Sequence, residues 1–172
     1  MNPDEAVIVA LGGNLAGEFS SSEALLEAAL SQFAQAGLPV VRRSSWWSSA
    51  AWPDPTHNRY RNGLVLVETD LSPSDTLNAL FAIEHRFGRI RTDLNAPRTL
   101  DLDLIAHGRA VLDAPDLVLP HPRAHERLFV MGPLAEVLPD WRHPVLGQTA
   151  EALAAVATIG LDARPIDVTA GA

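Results

Sequence analysis

The chain has 172 residues, 47% of them hydrophobic, which is enough for one well-buried domain and too few for two comfortable ones. Its formal charge of −8 argues against a nucleic-acid coat or a membrane-surface binder, since both need a basic face, so any anion site must be local. With no Cys and no Lys, it has no thiol nucleophile, disulfide, Schiff-base lysine or Walker A lysine; its 13 basic residues are all arginines, and phosphate must be held by guanidinium forks and backbone amides.

The start, Met1-Asn2-Pro3-Asp4-Glu5, is acidic and the apolar run after it is short, so it fits neither a signal peptide nor a membrane span; a soluble, cytoplasmic protein is expected. Ala6 to Leu11 reads as a strand that ends in the turn Gly12-Gly13-Asn14-Leu15, where glycines permit close approach. Ser20 to Ser22 offers caps for a helix over Glu23 to Gln35, closed by Gly37 and Pro39. Val40 to Ser48 and Gly63 to Glu68 are predicted strands. Between them Ser49 to Arg59, with Trp52-Pro53-Asp54-Pro55, is long enough to be a functional loop. Ser72-Pro73 opens a second helix that runs to Gly88.

A polar loop, Ile90 to Pro97, then leads into Arg98-Thr99-Leu100-Asp101-Leu102-Asp103-Leu104. Its period-two alternation predicts a strand that turns Leu100, Leu102 and Leu104 to a core and Asp101 and Asp103 to the other face. The two carboxylates then lie about 6 to 7 Å apart at their Cα atoms, close enough to share hard cations such as Mg²⁺. An edge strand with a solvated acidic face would show the same pattern. Arg89, Arg91 and Arg98 before the pair and His121, Arg123 and Arg127 after it favour a metal-bound polyphosphate. A short strand over Ala110 to Leu112, helices over Val130 to Val137 and Thr149 to Ala157, and a tail from about residue 161 complete a single domain. Strand, helix, strand, strand, helix, strand is the ferredoxin-like order, an α+β fold whose antiparallel sheet is flanked by helices in three layers, with C-terminal additions.

Paired acids and arginines would equally serve another Mg²⁺-dependent nucleotide-transferring enzyme, which would release pyrophosphate, and ferredoxin-like sheets also host non-catalytic ligand-binding modules. The combination of Gly12-Gly13-Asn14-Leu15, Tyr60 with Asn62, Gly88-Arg89-Ile90-Arg91, Pro97-Arg98-Thr99-Leu100-Asp101-Leu102-Asp103, Leu119-Pro120-His121-Pro122-Arg123 and Glu126-Arg127-Leu128-Phe129 resembles the 6-hydroxymethyl-7,8-dihydropterin pyrophosphokinases over roughly residues 6 to 158. That resemblance implies transfer of the β,γ-pyrophosphate of ATP to the hydroxymethyl group of a dihydropterin in folate biosynthesis. It further implies two Mg²⁺ ions on Asp101 and Asp103, with Arg89 and Arg98 acting beside them in the chemistry. Tyr60 and Phe129 match the rings that sandwich the pterin, and Asn62 a partner of its edge. Glu84, Arg89, Arg91, Arg98, His121 and Arg127 match nucleotide-side positions. Ser49-Ala50 stands where the family usually has Thr-Pro, with Trp52 as apolar cover for the pterin, and Asn95-Ala96 replaces a common Trp-Gly pair. A monomer acting on small molecules, with neither nucleic acid nor membrane as partner, is the expectation.

Overall fold

The computed structural model describes residues 2–14, 21–50, 59–87 and 100–166. The apolar run Val7–Gly13 forms β1, the middle strand of an antiparallel sheet, between β4 (Tyr60–Val67) on one side and β5 (Asp101–His107) on the other. β2 (Val40–Arg43) and β3 (Trp47–Ser49) share the far edge of β4, β2 opposite Val65 to Val67 and β3 opposite Tyr60 to Asn62. With α1 (Ser22–Leu30) after β1 and α2 (Pro73–Arg86) after β4, order and connectivity are ferredoxin-like, as expected.

Period-two alternation divides the side chains between two cores. Val7, Val9 and Leu11 of β1, with Leu100, Leu102 and Leu104, pack under α1 and α2, whereas Ile8 and Ala10, with Leu64 and Leu66, pack under α3 (Leu128–Val137) and α4 (Ala150–Val156). The result is the three-layer arrangement expected, with α3 and α4 as the C-terminal additions. Serine and threonine caps set three helix starts: the Ser21 hydroxyl accepts from Ala24 N at 3.0 Å, that of Ser72 from Asp75 N at 3.1 Å and that of Thr149 from Ala152 N at 3.1 Å. Among the described residues no helix is long and apolar enough to cross a membrane.

Several boundaries differ from the sequence expectation for identifiable reasons. The strand expected over 40–48 is two strands, because the Ser44 hydroxyl accepts the Leu64 N–H at 3.0 Å in place of a ladder carbonyl. α1 stops at Leu30, and tight turns through Gly37, whose φ is +84°, carry the chain on with Phe33 fully buried. The strand expected over 110–112 is the hairpin β6 (Leu112–Ala114) and β7 (Leu117–Leu119). The tail expected from about residue 161 instead supplies β8 (Arg164–Pro165), which pairs with β3, while residues 167–172 lie outside the described residues.

Trp47 links β3 to α3. Its indole N–H donates to Glu136 Oε1 at 3.2 Å, and its ring lies against Gly132, where a methyl group would fall 2.5 Å from the ring's Cη2. Gly132→Ala should therefore displace the ring and destabilise the fold by about 1–3 kcal/mol. Urea unfolding followed by tryptophan fluorescence measures this; a midpoint equal to that of the unchanged protein would show that the ring moves at no cost.

Candidate active site

The sheet face that carries the second core changes character along its length. From Ile8 through Ala10 to Gly12, from Leu66 through Leu64 to Asn62 and Tyr60, and from Ala106 through Asp103 to Asp101, apolar side chains give way to smaller or polar ones. The core thins and a cavity of about 470 Å³ opens, with Ala10 and Gly12 as its floor. Ser49, Tyr60, Asn62, Asp101, Asp103, Arg127 and Phe129 all line it. The sequence points to three separate tasks for these residues, yet they share one concavity of the size that small ligands need. Asp101 pairs with Gly12 and Asp103 with Ala10, so the alternation seen in the sequence turns both carboxylates to this face. A bulge at Ile105 ends that pattern, after which Ile105 and Ala106 both join the second core.

On the β3–β4 side, Asn62 is buried and its Nδ2 donates to Ser49 Oγ at 2.8 Å, which leaves its carbonyl oxygen turned toward Gly12. A Cβ at Gly12 would sit 3.3 Å from that oxygen, so the missing side chain gives the amide its room. On the opposite side Arg127 caps α3, Phe129 lies in its first turn, and the guanidinium stands 5.8 Å from the centre of the Phe129 ring. Arg123 also reaches the cavity.

His121 is fixed at the edge of this group by its backbone N–H, which donates to Ile105 O at 2.9 Å. Its Nδ1 accepts from Arg123 N at 3.2 Å, so in the neutral ring the proton resides on Nε2. Burial pushes its pKa down to about 4, the charges of Arg127 and Arg123 add to the effect, and Asp101 opposes it. His121 can thus offer a neutral N–H donor at pH 7 but no positive charge. Glu84 is buried in α2 and accepts the backbone N–H of Leu102 at 2.7 Å, which pins the strand between the two aspartates. Trp52, Arg89, Arg91 and Arg98, together with Asn95-Ala96, lie outside the described residues.

Two aspartates on one face, with arginines lining the same cavity, suit Mg²⁺, which takes oxygen ligands and commonly binds through one or two carboxylates plus substrate phosphates and water. Sequence reasoning passed over Ile159, which lines the cavity from beyond α4; it belongs to no motif, and only the following Gly160, at φ +70°, marks a turn there. Arg123, which the sequence marks only as an anion-binding residue, belongs to the same lining.

Residues 8–139 match the family model described as 7,8-dihydro-6-hydroxymethylpterin-pyrophosphokinase. The chain is 44% identical over 143 residues to a 2-amino-4-hydroxy-6-hydroxymethyldihydropteridine pyrophosphokinase of Synechocystis, with 83% of this chain and 71% of the relative covered. It is 38% identical to the protein of the same name from Pseudomonas aeruginosa, covering 94% and 98% respectively. Its fold is similar to a crystal structure of Plasmodium falciparum HPPK-DHPS with pteroate, at a TM-score of 0.67, 12% identity, and 87% and 44% coverage.

His143, whose Nδ1 accepts from Val145 N and Leu146 N, is also pushed down to about 4, by burial first and then by His125 and Arg109. For both rings the unfolded chain takes up protons near pH 6.5 while the folded protein does not until about 4. Stability should therefore be at its full value above pH 6.5 and fall as the pH drops toward 4. Urea midpoints across this range should show the decline, and His143→Gln should flatten it. Midpoints that stay level between pH 6.5 and 5.5 would mean that the rings are not held neutral.

Proposed function

Because the chain belongs to the 7,8-dihydro-6-hydroxymethylpterin-pyrophosphokinase family, we propose that the cavity between β1, β4, β5 and α3 holds its two substrates, with Asp101 and Asp103 as the metal ligands. The enzyme is an ATP-dependent diphosphokinase of folate biosynthesis. The hydroxymethyl oxygen of 6-hydroxymethyl-7,8-dihydropterin attacks the β-phosphorus of ATP, the bond from that phosphorus to the α-phosphate oxygen breaks, and AMP leaves. The observation that carries the site assignment is the convergence of both carboxylates, both aromatic rings and two arginines on one cavity.

Such a displacement asks little covalent chemistry of the protein; rate comes from holding the reactants in line and neutralising phosphoryl charge. Tyr60 and Phe129 face the flat heterocycle, whose stacking draws on buried area and the ring quadrupoles. Asn62, oriented by Ser49, presents its amide oxygen to the N–H groups of the pterin edge, and Trp52 adds apolar cover. Arg123 and Arg127 meet the phosphate oxygens, and Arg91 joins them on the nucleotide side. His121 donates through Nε2 without adding charge. Arg89 and Arg98 act on the transferring group, where directional guanidinium forks replace the lysine this chain lacks. Glu84 serves the nucleotide side by fixing the β5 backbone between the aspartates. Two Mg²⁺ ions, when bound, supply charge neutralisation on the triphosphate and make the hydroxymethyl oxygen a better nucleophile. The reading includes a monomer in the cytoplasm, with small molecules as its partners.

Separation of products after incubation with ATP, Mg²⁺ and the dihydropterin should give pterin-dependent AMP and a pterin diphosphate; release of pyrophosphate instead would point to nucleotidyl transfer. Asp103→Ala should lower turnover on the order of a thousandfold or more with an unchanged melting temperature. Near-normal activity in that variant would remove Asp103 from the metal site. Arg98→Ala should reduce kcat by roughly ten- to a hundredfold while leaving ATP affinity nearly intact, because its contact strengthens in the transition state. An equal loss of ATP affinity in equilibrium titration would refute that role.

A further inference from the structure

Residues 158–166 run as a strap from the entry of α3 to β3. At one end Thr158 N and Ile159 N both donate to Glu126 O at 3.0 Å, and Leu128 N donates to Ile159 O at 2.9 Å. At the other end β8 pairs with Trp47 and Ser48, and Ile166 N donates to Trp46 O at 2.9 Å. The turn between them, closed by Ala163 N donating to Gly160 O at 2.9 Å, carries Asp162. Along the strap Ile159 lines the cavity, and Gly160 lies so close to Phe129 that a Cβ there would fall 2.5 Å from the ring.

Asp162 makes two contacts that the proposed chemistry does not use. Its Oδ2 accepts the backbone N–H of Ala50 at 2.9 Å and pairs with the Arg59 guanidinium at 3.0 Å. Arg59 in turn donates from Nε to Ser48 Oγ at 2.9 Å. Ala50 follows Ser49 and Arg59 precedes Tyr60, and Ser49, Ala50 and Tyr60 all line the cavity. Ser49 and Tyr60 are also paired across β3 and β4. One carboxylate thus ties the residue directly after β3 to the residue directly before β4, and joins both to the strap that supports Phe129. Resting on the assignment of this end of the cavity to the pterin, we propose that Asp162 is a positioning residue that sets the separation of the Tyr60 and Phe129 walls for the heterocycle.

The Asp162–Arg59 pair is nearly half exposed on each side, and exposed pairs add little to global stability, so its contribution is expected in pterin affinity rather than in the melting temperature. Asp162→Ala removes both contacts and should raise the pterin KM and dissociation constant by about tenfold, the factor expected from roughly 1.4 kcal/mol. ATP affinity should change less than about twofold and the melting temperature by no more than about 1 °C. Asp162→Asn keeps an acceptor for Ala50 N but loses the charge facing Arg59, so it should fall between, as should Arg59→Gln. Should Asp162→Ala fail to fold, these two milder variants decide the matter by the same split. Unchanged pterin affinity, or equal losses for pterin and ATP, would overturn the role given to Asp162. Titrating the unsubstituted protein with the dihydropterin comes first: no binding there would overturn the pterin assignment itself, and this inference with it.

Discussion

Gly12 of β1 lies opposite Asn62 of β4 on one side and Asp101 of β5 on the other, so the polar ends of three strands meet at one level of the sheet. Everything else at the site depends on that register. A slip of one residue in β5 would turn Asp101 and Asp103 into the core under α1 and α2 and bring Leu102 into the cavity. The slip is opposed by Leu100, Leu102 and Leu104, all almost fully buried on the reverse face, and by Glu84, whose carboxylate holds the Leu102 amide. Hydrophobic burial on one side of the sheet therefore fixes the placement of charge on the other.

This coupling explains what could be read from the sequence and what could not. The Leu-Asp-Leu-Asp-Leu alternation carries its structure in its own period, so strand, buried face and acidic face are all legible in five residues. Tyr60, Asn62, Ser49 and Phe129 have no such period, and only a family resemblance links residues so far apart. The division of the second strand was hidden because Ser44 substitutes a hydroxyl for a backbone acceptor, a contact that exists only once β4 is alongside. β8 is two residues long and contains a proline, which no strand pattern would single out; it forms because the strap is already fastened at Glu126 and Leu128. Ile159 reaches the cavity by the same route.

The electrostatics follow a similar division. Despite a net charge of −8, Arg123 and Arg127 face the cavity. Away from it, Arg43 is held by Glu27 and Arg61 by Glu23, and the pKa of each glutamate is lowered. Glu27 also accepts from the Trp46 indole at 3.0 Å. An acidic protein can thus present a local site for an anion, with arginine geometry supplying direction as well as charge.

The outer margins of the sheet bear on how this domain can meet other chains. β5 forms one margin, where the Leu102 amide is taken by the buried Glu84 carboxylate and the Ile105 carbonyl by the His121 amide. The opposite side is shared by β2 and, beyond β3, by β8, where Pro165 has no N–H to offer. An incoming strand therefore finds main-chain groups already occupied, or a prolyl ring, where it would need free donors and acceptors. Strand-to-strand growth of the sheet is disfavoured at these two places, which leaves the short β2, with Arg42 and Arg43 in its four residues, as the remaining margin. Around the β6–β7 hairpin Val111, Leu112 and Val118 are exposed, an apolar surface that no strand edge provides.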